Sequence, residues 1–302
     1  MAVRRTDLAV EARQLWEETA AGTTKLEGVT AEERERNGFS VTAVEILNEH
    51  GAEALGKPVG KYVSLELDGL LRREEDAFPR AAQAIADELR EMLDTITDKA
   101  PVLVVGLGNR AITPDLLGPL AAEHLLVTRH LVEGVPEHFG DYRPVSAIVP
   151  GVLASTGLES AEITEAVAGK ASPAAVIVID ALAARSMERI CRTVQISDSG
   201  ISPGSGVGNH RSVIDRATLG VPVVSIGVPT VVDGATLALD ILAEEGIENL
   251  EPQILNGRGA DLFVTPREID VQVACLAKVI GYGIDLALHP NLSLSDLEML
   301  LE

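Results

Sequence analysis

Aromatic residues and positive charge are both scarce in this chain of 302 residues. Phe, Trp and Tyr make up 3% of it, which leaves few rings on which nucleic acid bases could stack. The 46 acidic residues outnumber the 25 basic ones, and the net charge is −21. Because such a surface repels phosphate groups, we expect no direct binding of nucleic acid.

Cysteine is also rare, since Cys191 and Cys275 are the only two, and they lie far apart in apolar, periodic stretches. This context predicts two buried, reduced thiols. No Cys-x-x-Cys pair or Cys/His cluster has the spacing of a zinc site. We expect neither a metal nor an organic cofactor.

Long uninterrupted apolar runs are missing as well. The longest, such as 221–232, contain Gly, Pro or polar residues, so we expect none of them to cross a bilayer. Arg4 and Arg5 lie near the N-terminus, but no apolar stretch of the signal-peptide type follows them. The sequence therefore predicts a cytoplasmic protein without membrane association.

The first hundred residues and the remainder have different hydrophobic patterns. Residues 8–20 and 77–97 have the apolar spacing of amphipathic helices, and residues 39–49 and 61–67 alternate like antiparallel strands. From residue 101 onward, continuous apolar runs predict strands at 101–108, 125–128, 145–151, 174–180, 221–227 and 261–265. Helices are predicted between them at 114–124, 159–169, 181–191 and 234–245, and finally at 266–288. This alternation predicts an α/β three-layer sandwich with a mostly parallel sheet, preceded by a small N-terminal β element.

Two aspartates follow predicted strands of this sheet. In such sheets, ligands bind outside the carboxyl ends of the strands. Asp115 follows the strand at 101–108, and Thr113 and Pro114 before it are suited to the N-cap and first position of a helix. Asp180 directly follows the strand at 174–179 and is expected at the strand end or at the N-cap of a helix.

A pair of carboxylates at this edge could act as general acid and general base on a water molecule and an amide bond. Close carboxylates titrate in separate steps, which leaves one ionised and one protonated over a range of pH. Taken singly, however, either aspartate is at least as readily a helix cap.

Other catalytic patterns are weaker. Gly106, Gly108 and Ala111 fit only the looser G-x-G-x-x-[G/A] form of the dinucleotide fingerprint. The following helix starts later than that fingerprint needs, which makes a dinucleotide site a weak hypothesis. Residues 196–211 are rich in Gly and Ser and predict either a substrate loop or a plain surface loop, and His210 within them is a candidate base. No G-x-S-x-G motif is present.

Long blocks of the sequence resemble the germination protease family, the spore endopeptidases of endospore-forming bacteria. The blocks occur in order over nearly the whole chain, at 5–13 (RTDLAVEAR), 56–66, 104–119 (VVGLGNRAITPDLLGP), 125–131, 143–160, 176–211, 218–233 and 263–270. The resemblance implies a peptidase that degrades small acid-soluble spore proteins in the forespore and spore core. It also implies a homotetramer whose core fold is similar to that of hydrogenase maturation peptidases.

The resemblance places the two catalytic aspartates of the family on Asp115 and Asp180, the positions that the strand-end argument selects independently. It also implies a zymogen that cleaves itself between Asp7 and Leu8, so that residues 1–7 form a propeptide. Residues 8–302 would then be a single peptidase domain, made of an N-terminal helix/β subregion at 8–100 and an α/β core at 101–302. The propeptide and the stretch at 240–261 are shorter than the family pattern.

Further residues are expected to line the same cleft. Asn109 and Thr113 flank Asp115, while Thr156, Gly157 and Glu159 follow the predicted strand at 145–151. We expect them to orient Asp115 or to bind the substrate backbone. The simpler interpretation is that Thr113 only caps a helix and that 155–159 only starts one.

Two other functions remain compatible with the sequence. One is a nickel-dependent maturation peptidase of the same core fold, in which carboxylates and a histidine hold the metal of a precursor. The other is a non-enzymatic α/β binding protein, against which the presence of both Asp115 and Asp180 argues.

Overall fold

A single mixed sheet organises the fold in the computed structural model, which describes residues 6–19, 26–204, 212–244 and 262–301. Its strands are β1 (Val29–Arg36), β2 (Phe39–Ile46), β3 (Gly60–Glu66), β4 (Val102–Gly106), β5 (Val145–Ile148), β6 (Ala175–Ala184), β7 (Thr193–Ser197), β8 (Val223–Asp233) and β9 (Phe263–Val264). They lie in the order β1-β2-β3-β7-β8-β6-β4-β5, and β9 pairs with the end of β8.

The strands β5, β4, β6 and β8 form the parallel half of the sheet. Their continuous Val and Ile runs are buried because helices cover both faces. One face packs on α4 (Ala77–Met92), α5 (Leu117–Glu123) and α12 (Ile269–Leu288). The other packs on α9 (Ser160–Ala171) and α10 (Arg216–Leu219). The predicted three-layer α/β sandwich is confirmed.

The antiparallel half continues the same sheet through β7, β3, β2 and β1. The N-terminal strands are therefore an extension of the main sheet, and the sheet is parallel only in its other half. The strand β1 was missed from the sequence because its VTAEERER segment is polar and exposed. It is held by its ladder with β2 and by ion pairs from Arg34 and Arg36 to Glu88 and Glu91 on α4.

The remaining helices lie around this frame. They are α1 (Ala9–Thr19), α2 (Glu49–Leu55), α3 (Asp68–Leu71), α6 (Arg129–Gly134), α7 (Pro136–Phe139), α8 (Leu153–Thr156), α11 (Gly234–Glu244) and α13 (Leu294–Leu301). Of the helices in the described residues, α12 is the one that is long and apolar enough to cross a membrane. Because 67% of its most apolar window is buried inside the protein, it has the burial of a core helix.

Two predicted elements are wrong. Residues 125–128 form no strand; they join α5 to α6, and the Leu126 N–H donates to Oδ2 of Asp285 (2.9 Å). The predicted helix at 181–191 is absent because β6 runs on to Ala184, paired with β8 as far as Val232. The Ala and Leu residues there favour a helix, but the long-range ladder outweighs this local preference.

Candidate functional site

Backbone hydrogen bonds just after β4 reach the positions of both aspartates. The Leu107 N–H, just after β4, donates to the carbonyl oxygen of Ile179 (2.8 Å), which places Asp180 level with this strand end. The Asn109 N–H, two residues further on, donates to both the carbonyl oxygen (3.1 Å) and Oδ2 (2.9 Å) of Asp115. Both aspartates therefore lie at the same edge of the parallel half, as the sequence predicts.

Asp180 occupies a different local position from the expected one. It lies within β6, opposite Gly227 of β8, instead of at the strand end or at a helix N-cap. Its side chain is buried, and Oδ1 accepts a hydrogen bond from the Ala181 N–H (2.9 Å). Because β6 continues past it, Asp180 is fixed by strand pairing rather than by a cap.

Asp115 closes a short 3₁₀ turn, Thr113–Asp115, that precedes α5. The N-cap of this turn is Ile112, so the expectation that Thr113 is an N-cap is wrong. The turn contacts β6, β8 and α12. Asn109 supports it, because its Oδ1 accepts a hydrogen bond from the Ala111 N–H (3.0 Å) while its backbone holds the Asp115 carboxylate.

Three glycines allow the close approach of this turn and α5 to the strand ends. A Cβ on Gly118 would lie 2.2 Å from the Leu107 carbonyl oxygen and 2.7 Å from that of Ile179. A Cβ on Gly106 would lie 2.3 Å from the carbonyl oxygen of Gly118. Gly108 has φ +130° and lies against the backbone of Asp115. Gly106 and Gly108 therefore serve packing, and the role of Gly118 was missed from the sequence.

The residues after β5 make mainly local contacts. Thr156 Oγ1 donates to the Val152 carbonyl oxygen (3.1 Å) and accepts from the Leu158 N–H (3.1 Å). Gly157 ends α8 with φ +73°. Glu159 is the N-cap residue of α9, and the Glu159 N–H donates to the Glu162 carboxylate (2.9 Å). These hydrogen bonds match the simpler interpretation of a helix start, and a role in substrate binding stays a prediction.

The Gly-rich segment leaves the sheet at the end where the parallel strands begin, opposite to the end that carries the aspartates. Its preceding strand, β7, ends at Ser197, which pairs with Ser225 near the start of β8. Beyond it, Ile201 pairs with Ile214. His210 lies outside the described residues, so its candidacy as a base stays a prediction.

The segment containing the predicted cleavage site packs beside β6. The Asp7 N–H donates to the carbonyl oxygen of Ala183 (2.9 Å), and the Ala183 N–H donates to Oδ2 of Asp7 (2.9 Å). Gln195 Nε2 donates to the Asp7 carbonyl oxygen (3.2 Å), and Lys57 Nζ donates to that of Thr6 (3.0 Å). Leu8 is fully buried. The Asp7–Leu8 bond is thus held against the C-terminal end of β6, where Asp7 bonds to Ala183, three residues after Asp180.

Glu11 anchors the same segment from the start of α1. Its carboxylate is buried and accepts hydrogen bonds from the N–H groups of Arg185 (2.7 Å) and Ser186 (3.0 Å), and also from the Thr6 hydroxyl. Burial lowers the pKa of the nearby Lys57 ammonium, and the charges of Asp7 and Glu11 act in the opposite direction. The sequence alone indicated no role for Glu11 or Lys57.

Burial favours the protonated thiol at both cysteines. Cys191 is buried, and burial raises the pKa of its thiol to about 12. Cys275 is half-buried, and its pKa is raised by burial too. Within the described ranges, the His, Cys, Asp and Glu side chains form no group of three or more that could hold a metal ion.

Comparison with known proteins decides the family. The sequence model of the germination protease family matches residues 9–243. The chain belongs to the germination protease family. It is 45% identical to the germination protease of Caldanaerobacter subterraneus subsp. tengcongensis, over 98% of each chain. It is 42% identical to that of Clostridium tetani (97% of this chain, 98% of the relative) and 39% identical to that of Priestia megaterium (94% and 93%).

A solved structure with a distant likeness is the NiFe hydrogenase maturation protease HycI from Thermococcus kodakarensis KOD1. It is 18% identical, has a TM-score of 0.37 and covers 65% of this chain and 98% of its own. That likeness is too distant to bear on the chemistry. The family match, in contrast, confirms the resemblance seen in the sequence, and this member of the family is a peptidase of spore germination.

Proposed function

We propose that this member of the germination protease family is an endopeptidase that degrades small acid-soluble spore proteins, with Asp115 and Asp180 as its catalytic pair. The observation that carries the proposal is the hydrogen bonding just after β4, where Leu107 bonds to Ile179, the neighbour of Asp180, and Asn109 bonds to Asp115. Two carboxylates at one strand end supply the proton acceptor and proton donor that hydrolysis of an amide by water needs.

The two carboxylates share the roles of general base and general acid. One takes a proton from the attacking water, and the other gives a proton to the leaving amine. Since interacting carboxylates titrate as a pair, neither role is assigned to one residue. Asn109 is a positioning residue in this scheme, because its backbone N–H holds the Asp115 carboxylate.

The substrate class is tested by holding the purified full chain at mildly acidic pH until residues 1–7 are lost, and then incubating it with small acid-soluble spore proteins and mapping the products by mass. The proposal predicts a few discrete internal cuts that a metal chelator does not suppress. Intact substrates, or cuts that disappear on chelation and return with nickel, would contradict it. The second outcome would instead favour the nickel-dependent maturation peptidase.

Self-cleavage between Asp7 and Leu8 is part of the same proposal. Support comes from the docking of Thr6–Glu11 beside β6, the strand that carries Asp180. A terminal segment cut by an unrelated protease would give the same product. Mass spectrometry of the wild type and of Asp180→Asn after mild acidification separates the two, because only self-cleavage needs Asp180. Equal loss of residues 1–7 from both proteins would overturn it.

The proposed assembly is a homotetramer that acts in the cytoplasm of the forespore and in the spore core. Exposed apolar side chains on α13, Met299 and Leu300, offer surface that contact between copies would bury. Light scattering tests the assembly, for which a molar mass four times that of the 31.9 kDa chain is expected. A monomer at micromolar concentration would contradict it.

A further inference from the structure

The predicted cleavage bond, Asp7–Leu8, separates two sets of contacts. On its C-terminal side, the Leu8 side chain is fully buried in the main core, and the Leu8 carbonyl oxygen accepts from the Ala12 N–H (3.0 Å). The next N–H, that of Ala9, donates to Oε1 of the buried Gln195 (2.8 Å). None of these contacts involves the segment before Leu8. The backbone nitrogen of Leu8 therefore keeps its place when that segment is removed.

This nitrogen lies one oxygen atom away from a buried carboxylate. The Leu8 N–H donates to Oγ1 of Thr6 (3.0 Å), and the Thr6 hydroxyl donates to Oε2 of Glu11. Two such hydrogen bonds in series span at most about 6 Å. Glu11 lies in the first turn of α1 and is only 1% exposed. Because the N–H groups of Arg185 and Ser186 also bind its carboxylate, Glu11 is held in place independently of Thr6.

Hydrolysis would give this nitrogen a positive charge, an argument that rests on the proposed self-cleavage. The hydroxyl of the water bonds to the Asp7 carbonyl carbon as the C–N bond breaks, and the remaining proton of the water leaves with the Leu8 amine. A second proton, taken from solvent, converts the amine to an ammonium group near neutral pH. The departing segment includes Thr6. Glu11 thus loses one hydrogen-bond donor when a cation appears beside it.

Two other cations lie near Glu11. Arg189 Nε is 3.8 Å from Oε1 of Glu11, but the Arg189 guanidinium is also paired with Glu66. Lys57 is the stronger competitor, because its ammonium feels the charge of Glu11 and loses the Thr6 carbonyl oxygen on cleavage. The Lys57 ammonium, however, lies at the end of a flexible chain that must be ordered first. The Leu8 nitrogen is already fixed at the N-terminus of α1, where Glu11 offsets the unfavourable helix dipole.

We infer that Glu11 is the binding site for the new N-terminus, and that the Leu8 ammonium replaces the Thr6 hydroxyl on its carboxylate. Glu11 also holds the two N–H groups that follow β6. The ion pair would therefore tie the start of the cleaved chain to the strand that carries Asp180. Because removal of either charge leaves the other buried and unpaired, the cleaved protein would require an unblocked α-amino group at Leu8.

A cleavage that does not depend on Asp180 tests the ion pair. The host is the full chain with Asp180→Asn, in which residues 4–7 are replaced by Ile-Glu-Gly-Arg, so that factor Xa releases Leu8 as the N-terminus. The Leu8 amine is acetylated with N-hydroxysuccinimide acetate over a series of pH values, and the N-terminal peptide is quantified by mass spectrometry. Only the neutral amine reacts, so the pH of half-maximal reactivity reports its pKa independently of its accessibility. We expect a higher midpoint in the folded protein than in urea.

Two glutamine variants on α1 locate the carboxylate. Glu11→Gln keeps the size of the side chain but removes its charge, so the amine should react roughly 10-fold faster at about pH 8. Glu17→Gln removes the same charge from a half-exposed side chain that pairs with Arg13 (2.8 Å), and it should leave the reactivity unchanged. Circular dichroism checks that each host is folded. If Glu11→Gln does not fold, Glu11→Asp replaces it, and its shorter side chain should still lower the pH midpoint.

Equal pH midpoints with and without the Glu11 carboxylate would overturn the ion pair. That result is expected if the Lys57 ammonium occupies the carboxylate in place of Leu8. A wild type that keeps residues 1–7 after mild acidification would instead overturn the proposed self-cleavage. The two failures are distinguishable because factor Xa produces the Leu8 terminus without any activity of the protein itself.

Discussion

The two halves of the sheet are built differently and contribute different parts of the site. The parallel half has strands buried on both faces, and its strand end holds Asp115 and Asp180 through backbone hydrogen bonds and glycine contacts. In the antiparallel half, β7 is buried throughout, whereas β1 at the outer edge is polar and largely exposed. Gln195 on β7 and Lys57 before β3 come from this half. The parallel half therefore carries the proposed catalytic pair, whereas the antiparallel half supplies side chains that hold the N-terminal segment, and β6 contacts both.

The largest effect is expected from the aspartates of the parallel half. Asp115→Asn and Asp180→Asn should each lower the rate of peptide hydrolysis by about 10²–10⁴, because one proton-transfer group is lost while the shape is kept. The rate of spore-protein cleavage and the thermal midpoint should be measured together. As a control, Asp141→Asn changes a side chain that is 93% exposed and should leave both unchanged. Near-normal activity of either folded variant would remove that aspartate from the mechanism.

A buried charge on α4 that pairs with the antiparallel half should affect stability without affecting chemistry. Glu88 is fully buried and pairs with Arg34 and Arg36, so Glu88→Gln leaves two cations poorly compensated. We expect a loss of about 3 kcal/mol in the free energy of unfolding, measured in urea, with an unchanged kcat. Glu91→Gln, on the exposed side of the same network, should cost less than about 1 kcal/mol. A large fall in kcat for Glu88→Gln would break the division between the halves.

The glycine contact at the end of β4 should affect both stability and chemistry. The Cβ of Gly118→Ala would push α5 and the Asp115 turn away from Leu107 and Ile179. A displacement near 1 Å costs about 10²-fold in rate, so we expect kcat to fall by up to about 10². Gly169→Ala on α9 is the matched control, because its Cβ would meet nothing within 4 Å. If both alanine variants keep full kcat, the contact does not position Asp115.

The smallest effect is expected from pH, at the end of α12 far along the chain from both aspartates. Burial first, and then the charge of Arg143, lower the pKa of His289 to about 4, although a backbone hydrogen bond with Leu126 acts in the opposite direction. The unfolded chain takes up this proton near pH 6.5, so stability is present above that pH and is lost as the pH falls toward 4. Between pH 6.5 and 5 the loss is about 2 kcal/mol.

Comparison of wild type with His289→Gln isolates this term. Asp285, one helical turn earlier, has a pKa raised by burial, so its stabilisation is lost as the pH rises and partly masks the histidine. The difference in unfolding free energy between wild type and His289→Gln should shrink by about 2 kcal/mol from pH 6.5 to 5. The exposed His50→Gln serves as a control. A constant difference would show that His289 titrates normally.

The same contrast between the halves explains what could be predicted from the sequence. Continuous apolar runs identify β4, β6 and β8, and the strand-end rule then points to Asp115 and Asp180. The strand β1 is polar and was missed, since it depends on partners across the sheet and on α4. The length of β6 was underestimated because its last residues, Ala181–Ala184, have the local preferences of a helix.

The remaining features could not be predicted from the sequence because they depend on contacts between residues that are distant along the chain. Gln195 meets the N-terminal segment across 186 residues of sequence, and Glu11 meets Ser186 across 175. No local sequence pattern predicts hydrogen bonds between residues that are so far apart. Glycine contacts are similar, because the need for Gly118 follows from the packing of α5 on two strand ends and not from its neighbours in sequence.

The central claim, that Asp115 and Asp180 act as one catalytic unit at the end of β4, is tested most directly by the double variant Asp115→Asn/Asp180→Asn. Residues that act as a unit give strongly non-additive losses. We predict that the double variant cleaves spore proteins no more slowly, within about threefold, than the slower single variant. Losses that multiply across the two positions would show that the aspartates act independently and would contradict the shared site.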